Sequence, residues 1–223
     1  MKRFPAALLG KLALVALAIL LGYEAFAVVA ARGDTPRLFA AYERPTSGET
    51  TPLDHLAPQR IDALIKVQDP DFWRHNGIDA DLPLTTTTVT QSVVKQLYFD
   101  NFQQGFPKIK QTLIARFAVD PLTSKHAQLT AFINLVGLGE VDGREIHGFE
   151  NGAKAWFGKP LAEISEEQFL SLLAMMNKPR DLSPGSPANK ERVARIEKYL
   201  AGSCERRGLG DVWLDACAAR AAP

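Results

Sequence analysis

The sequence is short of cysteine, of net charge and of alternating apolar and polar residues, and each shortage removes a class of protein. Only Cys204 and Cys217 are present, both near the C-terminus, so neither a disulfide-dense scaffold nor a thiolate metal cage is available. No metal-ligand spacing stands out, and there is no internal repeat. A formal charge of +1 gives no electrostatic footprint for a nucleic-acid partner. Strand-like alternation never extends beyond a few residues, which argues against a sandwich or barrel.

What is present is apolar at one end and helical nearly everywhere else. Lys2 and Arg3 precede the stretch LALVALAILLGYEAFAVVAA, Leu12 to Ala31, interrupted only by Glu24. At about 1.5 Å per residue it covers the roughly 30 Å core of a bilayer. Basic residues ahead of it favour a cytoplasmic N-terminus and an exported remainder. A cleaved signal peptide with its apolar core at Leu12 to Leu21 is the competing reading; the uncleaved anchor is preferred. Residues 1–31 are thus expected to be a membrane anchor or signal segment, 32–55 a linker, 56–203 a mainly helical domain and 204–223 a tail. Outside the cytoplasm Cys204 and Cys217 can close that tail as a disulfide, adding roughly 3 kcal/mol; two unrelated buried thiols are the alternative.

Within the domain, Pro58 can open a helix that turns Ile61, Leu64 and Ile65 inward. The stretch TVTQSVVKQLYF places Val89, Val93 and Leu97 on one face and Thr88, Gln91 and Lys95 on another. Pro107 begins a helix expected to turn Ile109, Leu113 and Phe117 inward, with Lys108, Gln111 and Thr112 on its polar face. Thr123 or Ser124 caps the next helix, and Ser165 to Gln168 reads as a capping box. Val193, Ile196 and Leu200 mark the last long helix.

The segment QDPDFWRHNGID, from Gln68, crowds acidic, aromatic, imidazole and glycine residues together. It resembles the first signature of the peptidoglycan glycosyltransferases (glycosyltransferase family 51), E-D-x-x-F-x-x-H-x-G-x-D, at Asp69, Phe72, His75, Gly77 and Asp79. TTTTVTQSVVK is similar to the second, keeping Thr88, Thr90, Gln91 and Lys95. Lys108 to Gln111 resembles the third, K-x-x-E, and SKHAQLTAFIN the fourth, keeping Ser124, Lys125, Leu129 and Asn134. Phe157, Gly158 and Lys159 stand in the place of the fifth.

This resemblance implies an all-α, lysozyme-like glycosyltransferase domain over residues 56–203, single-pass in the bacterial inner membrane and facing the periplasm. It implies lipid II or a glycan strand as ligand, the membrane and cell-wall synthases as partners, no nucleic acid, and a divalent cation as a cofactor that the family brings into question. Substrate contacts carried over are Asp69, Phe72, His75, Gly77, Thr88, Gln91, Lys95, Lys108 and Asn134. No transpeptidase domain is expected, because the chain ends soon after the helical one. The departures fall on the chemistry. The general base of the family is the first-motif Glu, here Gln68; the Glu of K-x-x-E is here Gln111. Thr130 replaces a further Glu, Thr85 and Thr86 replace a Gly pair, and the gap between the first two motifs is short. An amide donates and accepts hydrogen bonds but is no base near neutral pH, and losing one general base costs about 10² to 10⁴ in rate. A catalytically impaired relative is therefore expected.

Two other readings remain open. An active enzyme could use a relocated carboxylate, with Asp69, Asp71, Glu140, Glu145 and Glu150 as candidates. A lysozyme-like hydrolase would need an acid and a second carboxylate, which nothing here selects. Each motif residue also has a plain structural reading: Asp69 and Asp79 as turn or helix caps, Phe72 and Trp73 as packing, His75 as a hydrogen-bonded histidine.

Overall fold

In the computed structural model, which describes residues 6–45 (side chains from residue 8), 48, 50–79, 86–103 and 105–218, helix α1 (Ala6–Glu43) runs unbroken for 38 residues. That is about 57 Å at the helical rise. It is long and apolar enough to cross a membrane by length and composition, and its first half exposes Leu12, Leu14, Val15, Leu17 and Ile19. Lys2 and Arg3 lie outside the described residues. From Ala27 onward one face turns inward, with Ala27, Ala31, Thr35 and Phe39 buried at a spacing of four. The linker expected from residue 32 is therefore helix as far as Glu43. Its Gly33, Thr35 and Pro36 suggested a break, but tertiary contacts hold it. The Thr35 hydroxyl bonds both the Ala31 carbonyl and the Tyr98 hydroxyl at 2.7 Å. Arg32 donates to the Phe117 carbonyl. Glu43 accepts from the backbone N–H of Ser124 at 2.9 Å.

The rest of the chain builds α2 (Pro58–Gln68), α3 (Val89–Tyr98) and α4 (Phe106–Ile114). A π-helical turn at Ala115–Val119 carries α4 into α5 (Asp120–Leu122). Then come α6 (Lys125–Leu135), strands β1 (Gly137–Val141) and β2 (Arg144–His147), α7 (Phe149–Phe157), α8 (Glu166–Met175) and α9 (Pro187–Leu200). The class is mainly helical, as expected. The antiparallel hairpin is an addition; its turn is made by Asp142 and Gly143, both with positive φ.

Helix α6 is the centre of the domain: every residue from Ala127 to Ile133 is buried. The Thr90 hydroxyl donates to Gln128 Oε1 at 2.6 Å in the interior, fixing α3 against α6. Arg60 on α2 donates to the carbonyls of Leu161 and Ile164, holding α2 to the approach of α8. Asn189 on α9 does the same across to Ser171 of α8. Ser124 and Ser165 cap α6 and α8. Cys204 and Cys217 are joined by a disulfide.

One expected face is reversed. Ile109 and Phe117 are about half exposed and Phe106 is 75% exposed, whereas the inward positions are Gln111, Ile114, Ala115 and Ala118. Periodicity identifies two faces of a helix but not which one meets the core. Here α4 lies along α1, where Lys110 sits over the Tyr23 ring, and its apolar side looks outward beside the apolar surface of α1. The polar side, with Lys108 and Gln111, turns to α3.

Candidate functional site

The first motif begins where α2 ends. Gln68 is its last residue and is half-buried. Asp69, the C-cap, leaves the helical conformation with φ −156° and ψ 76° and is 1% exposed. His75 Nε2 donates to its carboxylate, 3.0 Å from both oxygens, and the Val89 N–H donates to Oδ2 at 2.8 Å. A carboxylate on the first N–H of α3 also complements the helix dipole. Phe72 is fully buried, edge-on to Trp73 and His75, with Lys125 Nζ 4.9 Å above its ring. Its place as a substrate contact is corrected by that burial: a ring with no exposed surface packs the motif, and Trp73, 53% exposed, is the aromatic that faces out. Gly77 has φ +80°, and a Cβ there would lie 2.5 Å from the Ala115 carbonyl oxygen. Only glycine lets this loop approach the π-helical turn so closely.

The second and third motifs interlock behind it. Thr88 caps α3 in a reciprocal pair with Gln91 and donates its hydroxyl to the Gly77 carbonyl at 2.8 Å. Gln91 Nε2 donates to the Thr112 hydroxyl at 3.0 Å. Thr88 and Gln91 are thus buried joints. Lys95 is exposed, with its ammonium 5.6 Å from the Phe102 ring centre. Lys108 donates to the Thr86 carbonyl and the Thr87 hydroxyl, both at 3.1 Å. Burial, reinforced by the positive charge of Lys95, lowers the Lys108 ammonium to a pKa of about 8. Residues 80–85, including Leu82 and Thr85 of the short gap, lie outside the described residues.

Gln111 is the most constrained member. It is 1% exposed, its Nε2 donates to the Gln91 backbone carbonyl at 2.6 Å, and its Oε1 is buried without a partner. An ionised glutamate cannot donate that bond. Nor does a buried, donating amide suit a divalent cation, which takes oxygen ligands and most often carboxylates. Among the described residues no group of three or more His, Cys, Asp or Glu side chains could hold a metal.

Asn134 is not part of this cluster. It accepts from the Thr51 N–H and donates to the Thr51 and Thr130 carbonyls, and it lines a separate cavity of about 340 Å³ with His55, Glu150 and Lys154. The candidate replacement bases are largely engaged. Asp69 is saturated as above, and Asp71 pairs with Arg74. Burial raises the Glu150 carboxyl, but Lys154 and the Leu161 N–H outweigh it and hold the pKa low. Glu140 and Glu145 lie on the hairpin. Sequence reasoning passed over Thr86 and Thr87 as partners of Lys108, and over Arg206, which donates to the Val67 carbonyl. The threonine run was the available signal for the first two; none marked Arg206.

Comparison with known proteins identifies the chain's relatives. Over 176 residues the chain is 27% identical to penicillin-binding protein 1B of Vibrio cholerae, covering 72% of this chain and 22% of that protein. It is 28% identical over 192 residues to penicillin-binding protein 1B of Haemophilus influenzae, covering 79% and 24%. It is also 28% identical over 178 residues to the biosynthetic peptidoglycan transglycosylase of Rhodospirillum centenum, covering 74% and 75%. The chain thus matches about a quarter of the length of the first two relatives. The transglycosylase family profile matches residues 35–204, beginning on the inward-facing half of α1 and running to the first cysteine of the disulfide, so that the chain belongs to the transglycosylase family.

Proposed function

We propose that this protein is a peptidoglycan glycosyltransferase-like protein that binds lipid II or a glycan strand at the membrane surface and is catalytically impaired. The domain, residues 56–203, works on the periplasmic side, held there by α1 as an uncleaved anchor. The observation that carries the impairment is the Gln111 side chain. It is a buried amide that donates to the α3 backbone, so the position is occupied by packing where the reaction needs a carboxylate. Gln68, the other amide, ends α2 and is no base near neutral pH. Loss of both removes general acid–base help worth about 10² to 10⁴ per group.

Binding needs no carboxylate. Lys108 and Lys95 supply two neighbouring cations for a pyrophosphate, which takes charge-assisted hydrogen bonds, and Trp73 offers an outward ring near Gln68. The engagement of Asp69, Asp71 and Glu150 by other groups weighs against a relocated base. The test is lipid II binding and polymerisation by the detergent-solubilised full chain. Saturable binding without glycan product is expected. Polymer made by the native protein overturns the impairment, and absence of any lipid II or glycan-strand binding overturns the whole reading.

A further inference from the structure

The family match ends at residue 204, where a closed loop begins. Cys204 and Cys217 join its ends, and its interior is braced from within. Asp211 accepts the backbone N–H groups of Arg207, Asp215 and Ala216. Helix α9 holds it from outside: Arg192 donates to the Val212 carbonyl at 2.6 Å and lies over the Trp213 ring, and Arg195 pairs with Asp215.

One side chain of this loop reaches a different part of the molecule. Arg206, its guanidinium 5.2 Å from the Tyr199 ring centre, crosses to α2 and donates to the carbonyl of Val67, the residue before Gln68. The last carbonyls of a helix have no intrahelical donor, and a cation there also complements the dipole. Burial lowers the pKa of the guanidinium, and the charges of Tyr199, Asp211 and Asp69 offset part of that lowering. The same last turn of α2 sets where Gln68 points and how Asp69 meets His75 and Val89.

We propose that the disulfide-closed loop is a clasp for the first-motif cluster, in which Arg206 is a positioning residue that fixes the last turn of α2 and thereby the set of Gln68 and Asp69 for binding a lipid-linked or polymeric glycan. The proposal rests on the proposed function, in which this cluster binds such a glycan. It adds a part that the family match does not include, built from residues 205–217 and held by one covalent bond.

The experiment compares the full chain in detergent with Arg206→Ala, Arg206→Lys and the Cys204→Ser/Cys217→Ser pair. Amide exchange is read at Asp69, Phe72 and His75, whose N–H groups bond to carbonyls of Ile65, Asp69 and Asp71. Arg206→Ala is expected to speed exchange there about tenfold, the scale of one lost charge-assisted bond, with α8 unchanged. Lipid II affinity should fall about tenfold, and Arg206→Lys, which keeps a cationic donor, should recover a good part of both. The cysteine pair should show the same local signature. Unchanged exchange at the three amides, acceleration spread equally through α8, or unaltered lipid II affinity would each overturn the clasp. Exchange is measured without ligand, so failure of the clasp is separate from failure of the proposed function, which shows as no lipid II or glycan-strand binding by the native protein.

Discussion

The last turn of α2 and the middle of α4 each carry a glutamine, Gln68 and Gln111, in opposite surroundings; in the function proposed above, each stands where a carboxylate would act. Gln68 is half-buried at a helix end, while Gln111 is buried on a helix face turned to another helix and bonded to its backbone. On paper both replacements are isosteric. In the folded chain one leaves a surface that could accept a carboxylate again, and the other has become a joint between α3 and α4. Near-isosteric exchange is conservative only where the partner tolerates the change of donor into acceptor.

The largest effect that would sharpen this contrast is expected from Gln111→Glu. An ionised carboxylate would face the Gln91 carbonyl without a donor, at a cost of about 3 kcal/mol, read as a lower denaturant midpoint. Burial raises the folded-state pKa of such a carboxyl above its unfolded value. Stability is then present below the unfolded pKa and lost as pH rises through the folded one, because the protonated form can donate to Gln91 again. A variant as stable as the native chain at pH 8 would break the comparison.

Gly77→Ala tests whether the two regions are pressed together by the loop between them. With φ +80° and a carbonyl 2.5 Å from the new Cβ, a loss of about 2 kcal/mol is expected, and thermal unfolding measures it. An unchanged melting temperature would mean that the first motif moves independently of α4.

Lys108 offers a smaller, pH-dependent effect. With its pKa lowered to about 8, the folded protein is penalised for carrying this charge. The penalty is complete below about pH 8 and gone above the ordinary value of 10.5, so this contribution to stability improves across that window. Binding runs the other way: affinity for a pyrophosphate lipid should weaken about tenfold between pH 7 and 9.5 as the ammonium is lost. Lys108→Arg, always charged, should flatten that profile in a titration; a native profile already flat would remove Lys108 from the ligand.

The smallest effect is expected at Gln68→Glu, within about 0.5 kcal/mol of native stability, as for a site without buried partners. A much larger loss would make both positions structural and erase the contrast. No polymer should form in this variant, since Gln111 still occupies the second position.

Some of this was legible before any coordinates. The capping box at Ser165, the choice of Thr123 or Ser124 as a cap (Ser124 in the structure) and the shared face of Val89 and Val93 follow from short-range rules. The hairpin was missed although Asp142-Gly143 is a strong turn pair, because the flanking residues do not alternate cleanly. The helix that continues through the supposed linker to Glu43 was missed because Gly33 and Pro36 outweighed the four-residue spacing of Ala31, Thr35 and Phe39. Phe72 as a substrate contact and Ile109 as a core residue both failed for one reason. An aromatic or aliphatic side chain looks the same in sequence whether its neighbour is core, solvent or an apolar surface.

By itself the sequence determined the helical class, the apolar N-terminal run, the order of the motifs and the absence of carboxylates at positions 68 and 111. These are local or compositional properties, written in residue identity and spacing. Only the tertiary structure decided that Gln111 donates to α3, that Lys108 is half-buried beside Lys95, that Asn134 belongs to another cavity, and that Arg206 ends on the Val67 carbonyl. Those facts depend on which surfaces meet across long stretches of chain, 139 residues in the last case, and burial and hydrogen-bond partnership exist only once the surfaces have met.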